Sequence, residues 1–508
     1  MTSLTRSLIK NATILFGSQM LTSLLSLATV LLTPVFLGDV GLGRLAFAQS
    51  IGFLLITVTV LGMNPYITRE VARDRSRLPE LLWASLLLRA PLCFLSAAVA
   101  VGLLVARGTS SKELVLVVVC SLVSLSTVCN GVLNASLQGL ERMARKSFAV
   151  IADNATVMVL GVPLAAVTHS PLAFAWALVA GALVDLAMNA HYFWKHGLNY
   201  RRPSRGAYLA LIKGAAPFLA MALSFEVLTQ LDTVMLGLLA PAAAVGWYAA
   251  AARLAPIVLM IPIVLAGALL PAAARAYRHD PEGAGRATRK VLELTLILAV
   301  PMAGGLAVIA PRLFHFLHYP PVFSHSGPVL MLMAPGWAVT AVIIVIGSSF
   351  LAAGLEGWLA KIGIGQLVLS LILFAVLIPM TQRSFGNGAI GAAAGVLTAE
   401  VINLAVFCLL APRTLLSGVT AYLAKVLLAT AAMAAAALLA SHTHVLIQVA
   451  AGAGAYGAAA ALLGLVSYGS VRGLVKLAAS AVRSDTDQSE EGKVAAAELA
   501  AIQPVAGA

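Results

Sequence analysis

About fourteen segments of this 508-residue chain are apolar over the full length of a membrane crossing, and this fixes its solvent before anything else is known. A helix needs roughly 20 such residues to span the hydrocarbon layer. The segments run approximately over residues 11–37, 45–66, 81–106, 114–138, 147–168, 171–194, 214–240, 243–272, 291–311, 327–353, 362–380, 388–411, 418–440 and 444–467. Charged residues make up 10% of the chain, where a soluble domain carries about 25%. So little polar surface could not cover a protein in water. The pattern predicts an all-α integral membrane protein of about fourteen transmembrane helices, because helices satisfy their own backbone in lipid.

The formal charge of +13 is mainly a topology signal rather than a nucleic-acid surface. With the N-terminus in the cytoplasm, the cytoplasmic segments hold 26 of the 33 Lys and Arg residues. The external loops hold Arg44, Arg107, Lys112, Arg312 and Arg383. This is the excess expected of a multi-pass protein in the cell (inner) membrane with both termini inside. The first apolar run exceeds the core of a signal peptide and is expected to stay as the first span. Cys93, Cys120, Cys129 and Cys408 all fall in predicted spans, without disulfide or zinc spacing.

The chain repeats itself. Leu8-Ile9-Lys10-Asn11-Ala12 returns as Leu211-Ile212-Lys213-Gly214-Ala215, and Gly43 matches Gly246, both 203 positions on. Gly139-Leu140-Glu141 returns as Gly354-Leu355-Glu356, Lys146 as Lys361 and Asp185 as Glu400, all 215 positions on. Six spans per copy is an even number, so the copies are parallel repeats of the kind that enclose a cavity in secondary transporters. The expected organisation is a six-helix half over 1–203, a second over 204–412 and two additional spans over 413–470. The tail over 471–508 is expected to be cytoplasmic and largely disordered.

Enzymatic signals are missing. There is no G-x-x-x-x-G-K-[ST] loop, and the G-x-G-x-x-G beginning at Gly452 lies inside an apolar helix with no strand before it. The nine histidines have no metal spacing; His315, His318 and His325 cluster in a predicted external loop as solvated surface. No catalytic residue, cofactor or metal is expected.

Ionisable groups inside a bilayer are costly and are candidate functional sites. Arg253, about ten residues into the eighth predicted span, either holds an anionic head group or pairs with Asp232 on the seventh. Arg89, in the third span, either snorkels or contacts ligand, with Asp153 as a candidate partner. Glu226, near the middle of the seventh span, could carry a proton or bind Na⁺. Asp185 and Glu400, equivalent in the two copies, are expected to face the interface between the halves. Lys213 lies near the start of the seventh span, where it would supplement the positive charge.

Four segments together resemble the polysaccharide (O-antigen type) flippases of the multidrug/oligosaccharidyl-lipid/polysaccharide exporter superfamily. They are Thr68-Arg69-Glu70-Val71-Ala72-Arg73-Asp74, Leu137-Gln138-Gly139-Leu140-Glu141-Arg142-Met143, Leu231-Asp232-Thr233-Val234-Met235-Leu236-Gly237, and Val245-Gly246-Trp247-Tyr248 through Arg253-Leu254. The resemblance implies two six-helix bundles in a V around a cationic cavity. It implies that an undecaprenyl-pyrophosphate-linked oligosaccharide passes from the cytoplasmic to the outer leaflet, driven by an ion gradient rather than ATP. On that reading Arg253, Arg89, Asp232 and Lys213 contact substrate. Glu226, Asp185, Glu400 and Asp153 are the candidates for coupling to Na⁺ or H⁺. The partners would be membrane lipid, a glycan polymerase and glycosyltransferases. Two other readings are a cation-coupled multidrug antiporter of the same superfamily and a membrane-embedded glycan polymerase.

Overall fold

A computed structural model describes residues 3–60, 62–196, 200–277, 279–412, 415 and 418–465, without the side chains of 3–17, 19, 58 and 216–226. The expected disorder of the tail and the side chain of Glu226 therefore lie outside the described residues. Within them the chain is helical, with no strand. Twelve helices are long and apolar enough to cross a membrane. The expectation was about fourteen spans. The first two predicted spans fall largely within one element, and the seventh has only residues 227–239 available to the span search.

The first half contains α1 (Ser3–Val60) and α2 (Met63–Arg73). It continues with α3 (Leu78–Ala106), α4 (Ser111–Gly139) and α5 (Met143–Thr156). A π-helical turn joins α5 to α6 (Val162–Thr168), and α7 (Pro171–Lys195) follows. Helix α1 is interrupted at Gly38, whose φ of 66° lies in the left-handed region that glycine enters at little cost. The second half opens with α8 (Arg205–Leu239), then α9 (Ala242–Ala252) and α10 (Ala255–Ala276), which meet at a break at Arg253-Leu254. Next come α11 (Pro281–Phe316), α12 (Ser326–Ala352), α13 (Glu356–Phe385) and α14 (Gly388–Leu410). Helices α15 (Val419–Leu439) and α16 (Val445–Leu462) pack on each other and on α11.

Two observations explain why so apolar a chain holds these elements. Large apolar side chains such as Phe94, Leu103, Leu409 and Leu439 are exposed on the outside of the bundle, as lipid-facing residues should be. Hydroxyls within the helices turn inward on their own backbone. Thr29, Thr33, Ser121, Ser124 and Ser136 each donate to the carbonyl four residues earlier, so none needs water.

The halves meet at the end that the charge bias assigns to the outside. A Cβ on Gly43 would overlap the carbonyl of Ala242, and one on Gly246 would overlap the carbonyl of Asp39. Asp39 and Ala242 are themselves 203 positions apart, like the two glycines, so the contact is reciprocal. Around it, Trp247 donates from Nε1 to Asp39 Oδ2 at 3.1 Å, and an Arg107 guanidinium donates to the Leu238 carbonyl. The long helix α8 leans the other way at its start, where Gly214 lies against the Tyr66 ring and Leu211 is buried with Ile67 and Leu81.

The second letter match has a different outcome. Helix α4 closes on Glu141 in the left-handed region (φ 60°), and α12 closes on Gly354 (φ 76°). The backbone correspondence is thus Glu141 with Gly354, two positions away from the Gly-Leu-Glu alignment. Glutamate at that position costs about 1 kcal/mol, since its Cβ crowds the following carbonyl.

Two predictions follow from this geometry. Gly246→Val should force α1 and α9 apart and lower the thermal unfolding midpoint in detergent by several degrees; an unchanged midpoint would contradict the contact. Glu141→Gly should raise the thermal unfolding midpoint in detergent by an amount corresponding to about 1 kcal/mol, whereas a lowered midpoint would show that the carboxylate outweighs the strain.

Candidate functional site

Arg253 sits where α9 gives way to α10, and its position is explained by a residue in the other half. Pro34 lies inside α1 and has no N–H, so the Val30 carbonyl four residues earlier has no helical donor. In lipid such an orphan is expensive unless another group reaches it. Arg253 Nη1 reaches it, at 2.7 Å, across the boundary between the halves. One of the five guanidinium donors is engaged in this way among the described residues. The same solution recurs at Pro301 in α11. It orphans the Ile297 carbonyl, which receives Tyr456 Oη of α16 at 2.7 Å.

The Arg253–Asp232 ion pair is not formed. Asp232 is occupied locally: Tyr248 donates its hydroxyl to Oδ2, and the backbone and hydroxyl of Thr233 donate to Oδ1. A carboxylate already satisfied by three donors has little need of a guanidinium. Tyr248, the last residue of the Val245-Gly246-Trp247-Tyr248 motif, was not read as this partner; it comes within reach once α9 turns back along α8.

Arg89 is fully buried, with Nη1 donating to Asn64 Oδ1 at 2.9 Å. Its Nε and Nη2 have no partner among the described residues. It is enclosed by α2, α3 and α4 and does not meet Asp153, which faces α7 instead. Gly181 makes that possible, because a Cβ there would overlap Asp153 Oδ1. Lys213 is exposed on α8. The structure therefore does not gather Arg253, Arg89, Asp232 and Lys213 into one cluster.

Asp185 and Glu400 are each held by amides of neighbouring residues. In the first half, Asp185 accepts from Asn189 at 2.8 Å, and Asn189 also approaches Asn134 at 3.4 Å. Asn130 completes this polar layer by donating to the Ala182 carbonyl at 3.0 Å. In the second half, Gln366 donates to Glu400 at 3.0 Å and accepts from Asn403 at 2.8 Å; Glu400 Oε2 has no partner among the described residues. No ion pair joins Asp153, Asp185 or Glu400 to a basic residue there. One oxygen-rich layer thus lies between α4 and α7 and another between α13 and α14. The amides that build these layers carry no charge, so they do not stand out among the ionisable groups of the spans.

His325 is not simply solvated surface. Its ring stacks on Trp247 with centroids 4.4 Å apart, and its carbonyl accepts from Asn387 at 3.2 Å. It thereby extends the network from Asp39 across the external end.

Together these features define a multi-pass helical membrane protein in which α1 and α9 meet backbone to backbone, with Arg253 joining the α9–α10 break to α1. The same fold is seen in the lipid II flippase MurJ in its inward closed conformation, at 14% identity, covering 89% of this chain and 98% of that one with a TM-score of 0.70. It is also seen in a multidrug resistance MATE family transporter of the MOP superfamily in its inward-facing conformation, at 15% identity, covering 78% and 97% with a TM-score of 0.63. No curated protein sequence matches the chain. Residues 8–277 match the model of the family described as polysaccharide biosynthesis protein, and the chain belongs to that family.

The bridging role of Arg253 predicts non-additive stability. Arg253→Gln should cost about 1–2 kcal/mol where Pro34 leaves the Val30 carbonyl orphaned. In a Pro34→Ala background, which restores the helical donor, the loss should shrink by about 1 kcal/mol. Equal losses in both backgrounds, measured by thermal unfolding in detergent, would contradict the assignment.

Proposed function

We propose that the protein flips a lipid-linked oligosaccharide, of the undecaprenyl-pyrophosphate type, across the cytoplasmic membrane by alternating access. Membership of a polysaccharide biosynthesis family is the observation that carries this reading, since it joins a glycan role to a wholly membrane-embedded chain. The fold shared with MurJ and MATE transporters supports the transport step. The positive-inside bias supports a cytoplasmic membrane with both termini inside.

The chemistry of Arg253 suits the task. A pyrophosphate is a planar-fork target for a guanidinium, and Arg253 has donors beyond the one given to Val30. Binding of the anion would compete for the guanidinium, loosen its hold on α1 and favour separation of the halves at that end. The ligand would shift the equilibrium only to the extent that it binds the two states differently. The polar layers at Asp153 and Asp185 in one half and at Glu400 in the other are the proposed seats of a coupling proton or Na⁺, with Glu226 as a further candidate. Such oxygen-rich, cation-free layers suit a group that alternately gains and loses a positive charge. A glycan polymerase and glycosyltransferases would supply and consume the substrate.

The MATE-like fold gives the antiporter reading its footing, and substrate accumulation separates the two. Depletion of the protein should cause a lipid-linked glycan to accumulate on the cytoplasmic leaflet. Unchanged glycan lipids together with altered drug susceptibility would favour the antiporter. Arg253→Gln should reduce flipping at least about tenfold, the loss expected of one charge-assisted bond, while the protein still inserts; full transport by that variant would remove Arg253 from the substrate path.

A further inference from the structure

A second basic site lies entirely within the first half, at the end assigned to the cytoplasm and away from Arg253. The turn between α2 and α3, the turn between α4 and α5, and α7 enclose a cavity of about 510 Å³. Three arginines line it from separate places: Arg75 in the first turn, Arg142 at the N-cap of α5, and Arg145 on its opening turn. Arg145 is fixed in place, with Nη2 donating to the Met188 carbonyl at 2.8 Å and the guanidinium 5.8 Å from the centre of the Tyr192 ring. Its Nε is buried without a partner among the described residues.

Ordinary positive-inside charge does not account for this arrangement. At the same end of the molecule, Arg69, Arg73 and Arg77 are gathered around the single carboxylate of Glu70, at 2.5–3.7 Å. The three cavity arginines have only Glu141, which is largely exposed and just 4.0 Å from Arg75. They leave the basin net positive. The opening turn of α5 adds to the field: its Met143 and Ala144 N–H groups have no backbone partner before the helix, and Met143 and Ala144 line the same cavity.

We propose that this basin binds a phosphate-bearing anion, either the headgroup of an anionic lipid in the adjoining leaflet or free phosphate. Guanidinium groups from two elements, the turn before α3 and the start of α5, match the oxygens of a phosphate, which accept several parallel N–H bonds at once. Tyr192 forms an apolar wall beside the glycerol or water that would accompany the phosphate. The site does not depend on the transport reading, because none of its residues lies between the halves.

The test uses the full chain in detergent, with two phosphate probes: inorganic phosphate, and mixed micelles containing phosphatidylglycerol, with phosphatidylcholine micelles as the uncharged control. Arg75→Gln combined with Arg142→Gln removes exposed charges that make no structural hydrogen bond. It should weaken binding of at least one phosphate probe by about tenfold or more. Glu141→Gln removes the one opposing carboxylate and should tighten the same binding several-fold, a gain that misfolding cannot mimic. Loss confined to phosphatidylglycerol assigns the site to a lipid headgroup, loss confined to inorganic phosphate assigns it to a soluble anion, and loss of both supports the shared chemistry. Unchanged affinity of the double variant for both probes, or equal binding of phosphatidylcholine, overturns the proposal. Flipping is not read in this experiment, so its failure leaves the transport reading untouched.

Discussion

A bilayer offers no hydrogen bonds, and the architecture of this protein follows from how its polar backbone is satisfied in spite of that. At two prolines inside spanning helices, Pro34 and Pro301, the carbonyl freed four residues earlier is taken by a side chain from another part of the chain. At Val30 the donor is Arg253, which belongs to the other half of the molecule. At Ile297 it is Tyr456, which ties the last helix to α11. Local disruptions of helix geometry thus become the points at which separate parts of the chain are joined. The first such joint links α1 to the break between α9 and α10.

The closed end shows the same economy. Where α1 and α9 cross, Gly43 and Gly246 bring backbone directly against backbone, each glycine meeting the carbonyl-bearing residue that precedes its counterpart by four positions. Asp39, Trp247 and His325 then fill the periphery with one hydrogen bond and one ring stack.

Much of this was legible in the residues. Hydropathy alone requires a helical membrane protein, and the match of Gly43 with Gly246 marks the crossing that the structure shows. The depth of Arg253 marks it as unusual. What the residues could not reveal was pairing. Asp232 is claimed by Tyr248 because α9 folds back beside α8, a proximity that spacing along the chain does not encode. Asp153 turns toward α7 because Gly181 leaves room, so Arg89 is left to Asn64. The Gly-Leu-Glu letters align two positions away from the backbone they were expected to mark, because helix ends follow the left-handed residue and not the motif. The amide layers were missed for a simpler reason: Asn and Gln carry no formal charge, and intramembrane charge was the mark by which candidate sites were recognised.

In this state α1 and α9 are held together at Gly43 and Gly246, and the proposed transport requires that they part there in another. Distances between spin labels measure this directly in the full protein in lipid nanodiscs, with one pair across the external ends of α1 and α9 and one across the basic ends of α4 and α12. Addition of lipid-linked oligosaccharide, or of an ion gradient in proteoliposomes, should lengthen the first distance in a fraction of molecules and shorten the second in the same fraction. A single unchanging distribution for both pairs under every condition would contradict it.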